Sequence, residues 1–296
     1  IMLIKVYCIK QRAGEMMVRK LTKNFVGLII TLIVLMGLQS SVWANSKIIF
    51  IPHDNRPISF AQTVESAEGL GFEIVVPPEH LLGNRTDSGK VEALWQWLFQ
   101  EIKTADSVVL SADSLIYGSL VDSRKHELSL ETLLERTDKF TKLKQLQPNL
   151  RIYVFASIMR SPRSSFGGVE PSYYEQYGPS IFAATALEDK AETVGLTKVE
   201  EKELLKFKKN VPEAAFADWL ERRSKNFTVN AKLVSLVNNN NFVYLALGRD
   251  DNAPFSQTRK ESRLLKEQAG ATPVSKFQCL AGIDELGRSE ERRVGK

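Results

Sequence analysis

From Lys47 onward the chain alternates short, unbroken apolar runs with longer stretches in which apolar residues recur at helical spacing. The runs are Lys47 to Pro52 (KIIFIP), Phe72 to Val76 (FEIVV), Ser107 to Ser111 (SVVLS), Arg151 to Ser157 (RIYVFAS) and Phe242 to Leu247 (FVYLAL), and Phe277 to Gly282 opens a sixth. Runs this short and continuous, with no polar face, predict strands covered on both sides. Between them, Ser59 to Leu70 has helical spacing and ends at Gly69 and Gly71. Lys90 to Thr104 sets Val91, Leu94, Trp95, Leu98 and Ile102 on one stripe. Leu128 to Leu146 is a further amphipathic helix, and Leu264 to Gly270 closes another. Pro77-Pro78 stops the second strand, because proline cannot donate to a sheet ladder.

Strands alternating with helices specify an α/β fold, a parallel sheet with crossover helices. An incomplete (β/α) barrel and an open doubly wound sheet both fit, and a full barrel needs ~250 residues without insertions. Residues 161–240 break the alternation. They open with a Pro-, Gly- and Tyr-rich segment and continue through two charged helical stretches, Lys198 to Lys209 and Glu213 to Val237, a helical excursion between strands four and five. Either architecture gathers ligands outside the carboxyl ends of the strands.

The two ends of the chain read differently from the middle. Met16 to Ala44 has a basic start (Arg19, Lys20, Lys23), an apolar run from Phe25 to Leu38 and Val42-Trp43-Ala44 before Asn45, the three parts of a secretory signal with cleavage expected after Ala44. The run is short for a bilayer span of roughly 20 residues. The protein is therefore expected to be exported, extracellular or periplasmic, with a membrane contact only if this segment stays uncleaved. Residues 1–15, ahead of Met16-Met17, are read as untranslated leader. Arg288 to Lys296 matches the in-frame translation of a common sequencing adapter, so the α/β domain is expected to occupy 45–287 and to be the front part of a longer protein.

Charge follows the same division. The formal net charge is +5, but residues 1–15, 16–44 and 288–296 carry +2, +3 and +2, leaving −2 for 45–287. A near-neutral domain argues against nucleic acid as a partner. Cys8 lies in the leader, so Cys279 has no partner for an intrachain disulfide.

Candidate chemistry collects where the strands end. Strand one is followed by His53-Asp54-Asn55-Arg56-Pro57, strand three by Asp113, Tyr117 and Arg124, strand four by Arg160, strand five by Arg249-Asp250-Asp251-Asn252, and the last segment by Asp284-Glu285. Asp and Asn in such places also make turns and cap helices, which is the competing reading at each. Adjacent carboxylates at Asp250-Asp251 repel, a cost a fold accepts where a cation, a shared proton or a polar substrate offsets it. Arg56, Arg124, Arg160 and Arg249 either hold an anionic substrate or neutralise these acids, and neutralisation is expected for at least two of them. His53, His80 and His126 are isolated and lack ligand spacing, so no metal or other cofactor is expected, apart from a divalent ion held by carboxylates alone. Serine-hydrolase elbow, Walker loop and dinucleotide glycine signatures are absent. Gly167-Gly168 followed by Tyr173, Tyr174 and Tyr177 offers an aromatic wall for a sugar or a packed surface loop.

In this order, PHDNRP, SADSLIYGSLVDSR, ASIMR and LGRDDNAPF make the chain resemble the bacterial DUF4127 family over roughly Lys47 to Gly287. The family's P-L-D-x-R-P is met by Asp54, Arg56 and Pro57, with His53 departing from it. Pro77, Pro78, Leu82 and Gly83 match P-P-x-x-x-L-G, and Ser111, Asp113, Leu115, Tyr117, Gly118 and Leu120 match S-x-D-x-L-x-Y-G-x-L. Asp250, Asp251 and Pro254 match D-D-x-x-P, and Gly282, Asp284, Glu285, Leu286 and Gly287 match G-x-D-E-L-G. The resemblance implies the domain and no catalytic roles, since the family has no assigned function.

The residues together lead to the expectation of an exported hydrolase acting on a polar, carbohydrate-containing substrate. Asp250, Asp251, Asp113 and Asp54 would be its catalytic carboxylates, and Arg56, Arg124, Arg160, Arg249, Tyr117, Asp284 and Glu285 would bind a small-molecule or glycan ligand. A non-catalytic envelope binding protein and a metal-dependent deacetylase or phosphoesterase are the alternatives.

Overall fold

The computed structural model describes residues 47–164, 167–251, 253–284 and 286–287. The leader, signal-peptide and adapter readings, and Glu285, lie outside the described residues. Strands β1 (Lys47–Ile51), β2 (Glu73–Val75), β3 (Ser107–Ser111), β4 (Arg151–Ile158), β5 (Tyr244–Arg249) and β6 (Phe277–Ala281) form one sheet in the order β2-β1-β3-β4-β5-β6. All five pairings are parallel and the sheet is open, which resolves the choice in favour of the doubly wound form. The chain steps from β1 outward to β2, then returns past β1 to β3 and runs on to β6. The loops leaving β1 and β3 therefore diverge, and this switch point is where such sheets open a crevice.

The helices are α1 (Ala61–Glu68), α2 (Val91–Glu101), α3 (Ala112–Ile116), α4 (Asp122–Lys125), α5 (Leu130–Leu146), α6 (Tyr174–Thr193), α7 (Lys198–Lys209), α8 (Glu213–Asn238) and α9 (Gln257–Ala269). The larger core joins Ile49, Val108, Val154 and Leu247 on one sheet face to Trp95 of α2, Phe140 of α5, Leu233 of α8 and Leu265 of α9. The smaller core lies on the other face around Phe50, Val109, Phe155 and Tyr244, with Phe60 and Val64 of the α1 segment against it. Alternate strand residues thus serve different cores, and every position of β3 is buried, the physical reason its sequence is apolar without alternation.

Three elements differ from the sequence expectation. β5 starts two residues later and continues through Gly248 and Arg249, because these pair with Ser157 and Ile158 of β4. α9 runs from Gln257 to Ala269, so Leu264 to Gly270 does close a helix, whose first half had no sequence signal. Its buried face carries Thr258, Glu261 and Ser262, so the helix has no apolar stripe to betray its first two turns. In the excursion, α6 and the first half of α8 build a core of their own from Tyr174, Ile181 and Trp219. The second half of α8 lays Val229, Leu233, Val234 and Val237 into the main core and acts as the crossover from β4 to β5. α7 buries none of its side chains.

Candidate functional site

At the switch point, β1 delivers His53 and Asp54 and β3 delivers Ser111 and Asp113, all essentially buried. Ser111 caps α3 by accepting from the Ser114 amide, and that first turn fixes Asp113. The carboxylate of Asp113 accepts the Ser157 amide at 2.9 Å and the Ser157 hydroxyl at 3.1 Å. His53 Nδ1 lies 3.1 Å from the same carboxylate and 3.0 Å from Ser111 Oγ. An acceptor-only carboxylate assigns the proton to Nδ1. His53 Nε2 is buried without a hydrogen-bond partner, its ring set edge-on to Phe155. The pair ties β1 to β3 and β4 beneath the crevice.

Asp54 is clamped by Arg56, whose Nε lies 3.0 and 2.9 Å from the two carboxylate oxygens, and whose backbone amide closes an Asx-turn on Oδ1. Arg56 Nη2 donates on to Asp284 at 2.8 Å. Burial works against the Arg56 charge, yet Asp54 and Asp284 outweigh it and hold the guanidinium above its ordinary range.

At the ends of β4 and β5, Arg160 donates to Glu170 at 2.5 Å and to Asp250 at 3.0 Å. Here too burial opposes the charge and the two acids overcome it, raising the Arg160 pKa. Arg124, nearly fully buried, lies 3.8 Å from Glu170 and 3.6 Å from Asp250. Burial first, then the neighbouring Arg160, bring it down to about 10 against the pull of Glu170, Asp250 and Asp113. It stays charged at neutral pH and links the Asp113 group to the Asp250 group.

Asp250 and Asp251 part company. Asp251 accepts the Ser161 amide at 2.7 Å and the Ser256 hydroxyl at 2.9 Å, joining the segment after β4 to the N-cap of α9. Both its oxygens are used inside the fold. Asp250 instead faces a cavity of about 360 Å³ lined also by Ile58, Asp284 and Leu286. The side chains of Asp250 and Asp284 are 39% and 43% exposed, which leaves each reachable by a ligand.

Arg249 stands apart. It is buried, its Nε has no hydrogen-bond partner, and burial with the nearby Arg259 lowers its pKa. Tyr117 is also separate, packed 5.0 Å from the His126 ring with its phenol held well above the ordinary range by burial and then by Asp113. The three tyrosines of the excursion do not form a wall. Tyr174 is buried against Trp219, Tyr177 packs on the same small core, and Tyr173 donates to Asp218 at 2.6 Å.

Sequence reasoning missed two members of the site. His53 stood at a strand end but was weighed only as a metal ligand, and Glu170 sits in an irregular segment where no local pattern marks it. Among the described residues no group of three His, Cys, Asp or Glu side chains is arranged to hold a metal ion. Residues 48–290 match the sequence model of a family described as "Protein of unknown function (DUF4127)". No curated protein matches the chain.

Proposed function

The chain belongs to the DUF4127 family, and from the geometry of its strand ends we propose that it is an exported hydrolase acting on a polar, carbohydrate-containing substrate. The observation that carries this reading is the pair Asp250 and Asp284, two reachable carboxylates lining one cavity at the carboxyl edge of the sheet. Glycoside cleavage needs two carboxyl groups flanking the scissile bond, one as acid and the other as base or nucleophile. Asp250 is bonded to Arg160 and lies 3.6 Å from Arg124. Asp284 is bonded to Arg56, so each carboxylate of the pair is held by an arginine at the cavity wall. Asp54, Asp113 and Asp251 then act as positioning groups that hold the arginines and strand ends in place.

The test is product release from a panel of glycans and cell-wall fragments by the protein freed of its signal segment. Asp250→Asn and Asp284→Asn, both at exposed positions, should each lower turnover by roughly 10²-fold or more while leaving the melting temperature within a few degrees. Chelator should leave turnover unchanged, and a loss would move the reading to a metal-dependent deacetylase or phosphoesterase. Full activity in both variants would remove the pair from the chemistry. A second reading, a non-catalytic envelope binding protein, draws on the fact that Asp54, Asp250 and Asp284 are all paired with arginine. Saturable binding without product would select it.

A further inference from the structure

A second cavity, of about 780 Å³, lies away from the carboxylate pair and shares no residue with its cavity. Its walls come from the loop before α2, the first turn of α2, the segment after β3 and Arg136 of α5. Two sequence motifs meet beneath it. A Cβ on Gly89 would lie 2.4 Å from the Gly118 carbonyl, and a Cβ on Gly83 would lie 2.8 Å from the same oxygen. Only glycines allow these backbones to close, and Gly118 itself sits at φ +116°.

Three features of the wall point to a ligand. His126 lines the cavity and is 9% exposed, and its Nε2 bonds Asn226 Oδ1 at 2.8 Å while Asn226 Nδ2 donates to the Ser123 carbonyl. That network puts the proton on Nε2 and leaves Nδ1 as a buried acceptor with no partner. Arg136 supplies the opposite need, for its Nε is a buried donor that stands 3.5 Å from Glu92, an ion pair longer than a good hydrogen bond. At the third, no side chain caps α2, whose first-turn residues Glu92 and Ala93 line the cavity with orphan N–H groups.

Charge decides the class of ligand. Lys90, Lys125 and Arg136 line the cavity against Glu92, Asp122 and Glu127, three of each sign. An anion would meet as much repulsion as attraction. A neutral ligand that both donates and accepts satisfies His126 Nδ1, Arg136 Nε and the helix end at once. We propose that this cavity is a binding site for a neutral polyhydroxylated ligand, a sugar unit, with His126 accepting one ligand hydroxyl and Arg136 with the α2 N-terminus donating to others. The site stands whether or not the carboxylate pair is catalytic.

Saturation-transfer NMR and calorimetric titration on the full chain test it, with glucose, galactose, mannose, N-acetylglucosamine, cellobiose and chitobiose as probes and inorganic phosphate as the anionic control. At least one neutral sugar should bind and phosphate should not. His126→Phe, which keeps the ring against Tyr117 but removes the acceptor, and Ala93→Phe, which fills the cavity from a half-buried position, should each weaken binding by about tenfold or more. The carboxylate cavity shares no residue with this one, so the binding lost in His126→Phe and Ala93→Phe is the part this site supplies, and a failed hydrolase reading does not touch it. Should one variant not fold, the other carries the test. Silence from every neutral sugar, binding of phosphate in their place, or a loss produced by Asp250→Asn and not by a cavity variant overturns the proposal.

Discussion

Asp250 and Asp251 are adjacent in the chain at the bend that follows β5, and their side chains find different partners. One meets arginines at a cavity and the other closes onto Ser161 and Ser256, so the repulsion expected between them is relieved by divergence rather than by a cation or a shared proton. His126 shows how a single environment becomes a pH dependence. Burial is the main cause that lowers its pKa from 6.5 to about 4, with Arg222 and Lys225 adding to it and Asn226 and Asp122 opposing. The folded state therefore holds the ring neutral, whereas the unfolded chain takes up a proton below about 6.5. His126 leaves stability untouched above that pH and reduces it as pH falls toward about 4, by on the order of 3 kcal/mol in full. Urea unfolding at a series of pH values should show this slope. In His126→Phe the slope between those limits should flatten, and an unchanged slope would show that other groups produce it.

α7 and α8 are the two charged helical stretches of the excursion, and they behave as opposites. α7 carries its own capping box, Thr197 with Glu200, lies against α6 through the ion pairs Lys190–Glu200 and Lys208–Glu188, and buries no side chain fully. α8 runs from the small outer core at Trp219 to the sheet at Val237, and Arg223 pins it by a two-point bond to Glu261 of α9 at 2.8 and 2.7 Å. Truncation should report the difference. Leu233→Ala on α8, fully buried, should cost about 2–5 kcal/mol. Leu205→Ala on α7, 69% exposed, should stay within about 0.5 kcal/mol. Equal losses in denaturant unfolding would mean that Leu205 is buried against a neighbour. The period of the apolar residues was enough to read α2 and α5 from the chain. It was not enough for the first half of α9, because that helix buries threonine, serine and a paired glutamate, and polar residues leave no hydrophobic period.

The described residues form a sheet whose central strands are flanked on both sides and whose edges, β2 and β6, are partly exposed. Amide exchange should be slowest in β1, β3, β4 and β5, which have a strand on either side, intermediate in β2 and β6, and fastest in α7. Protection of α7 equal to that of β3 would contradict this ordering. The sequence by itself determined the α/β class, the parallel sense of the strands and the gathering of polar residues at their carboxyl ends, because burial on two faces and turn chemistry are written locally, within a few residues of each position. Tertiary structure alone decided that the sheet stays open, that β3 lies beside β1, that Arg56 reaches Asp284 across 228 residues of chain, and that Asp250 pairs with Asp284 at a cavity while Asp251 turns inward. Those outcomes depend on which distant side chain arrives to satisfy a buried charge, and the energy of that choice is a property of the assembled neighbours, not of any segment.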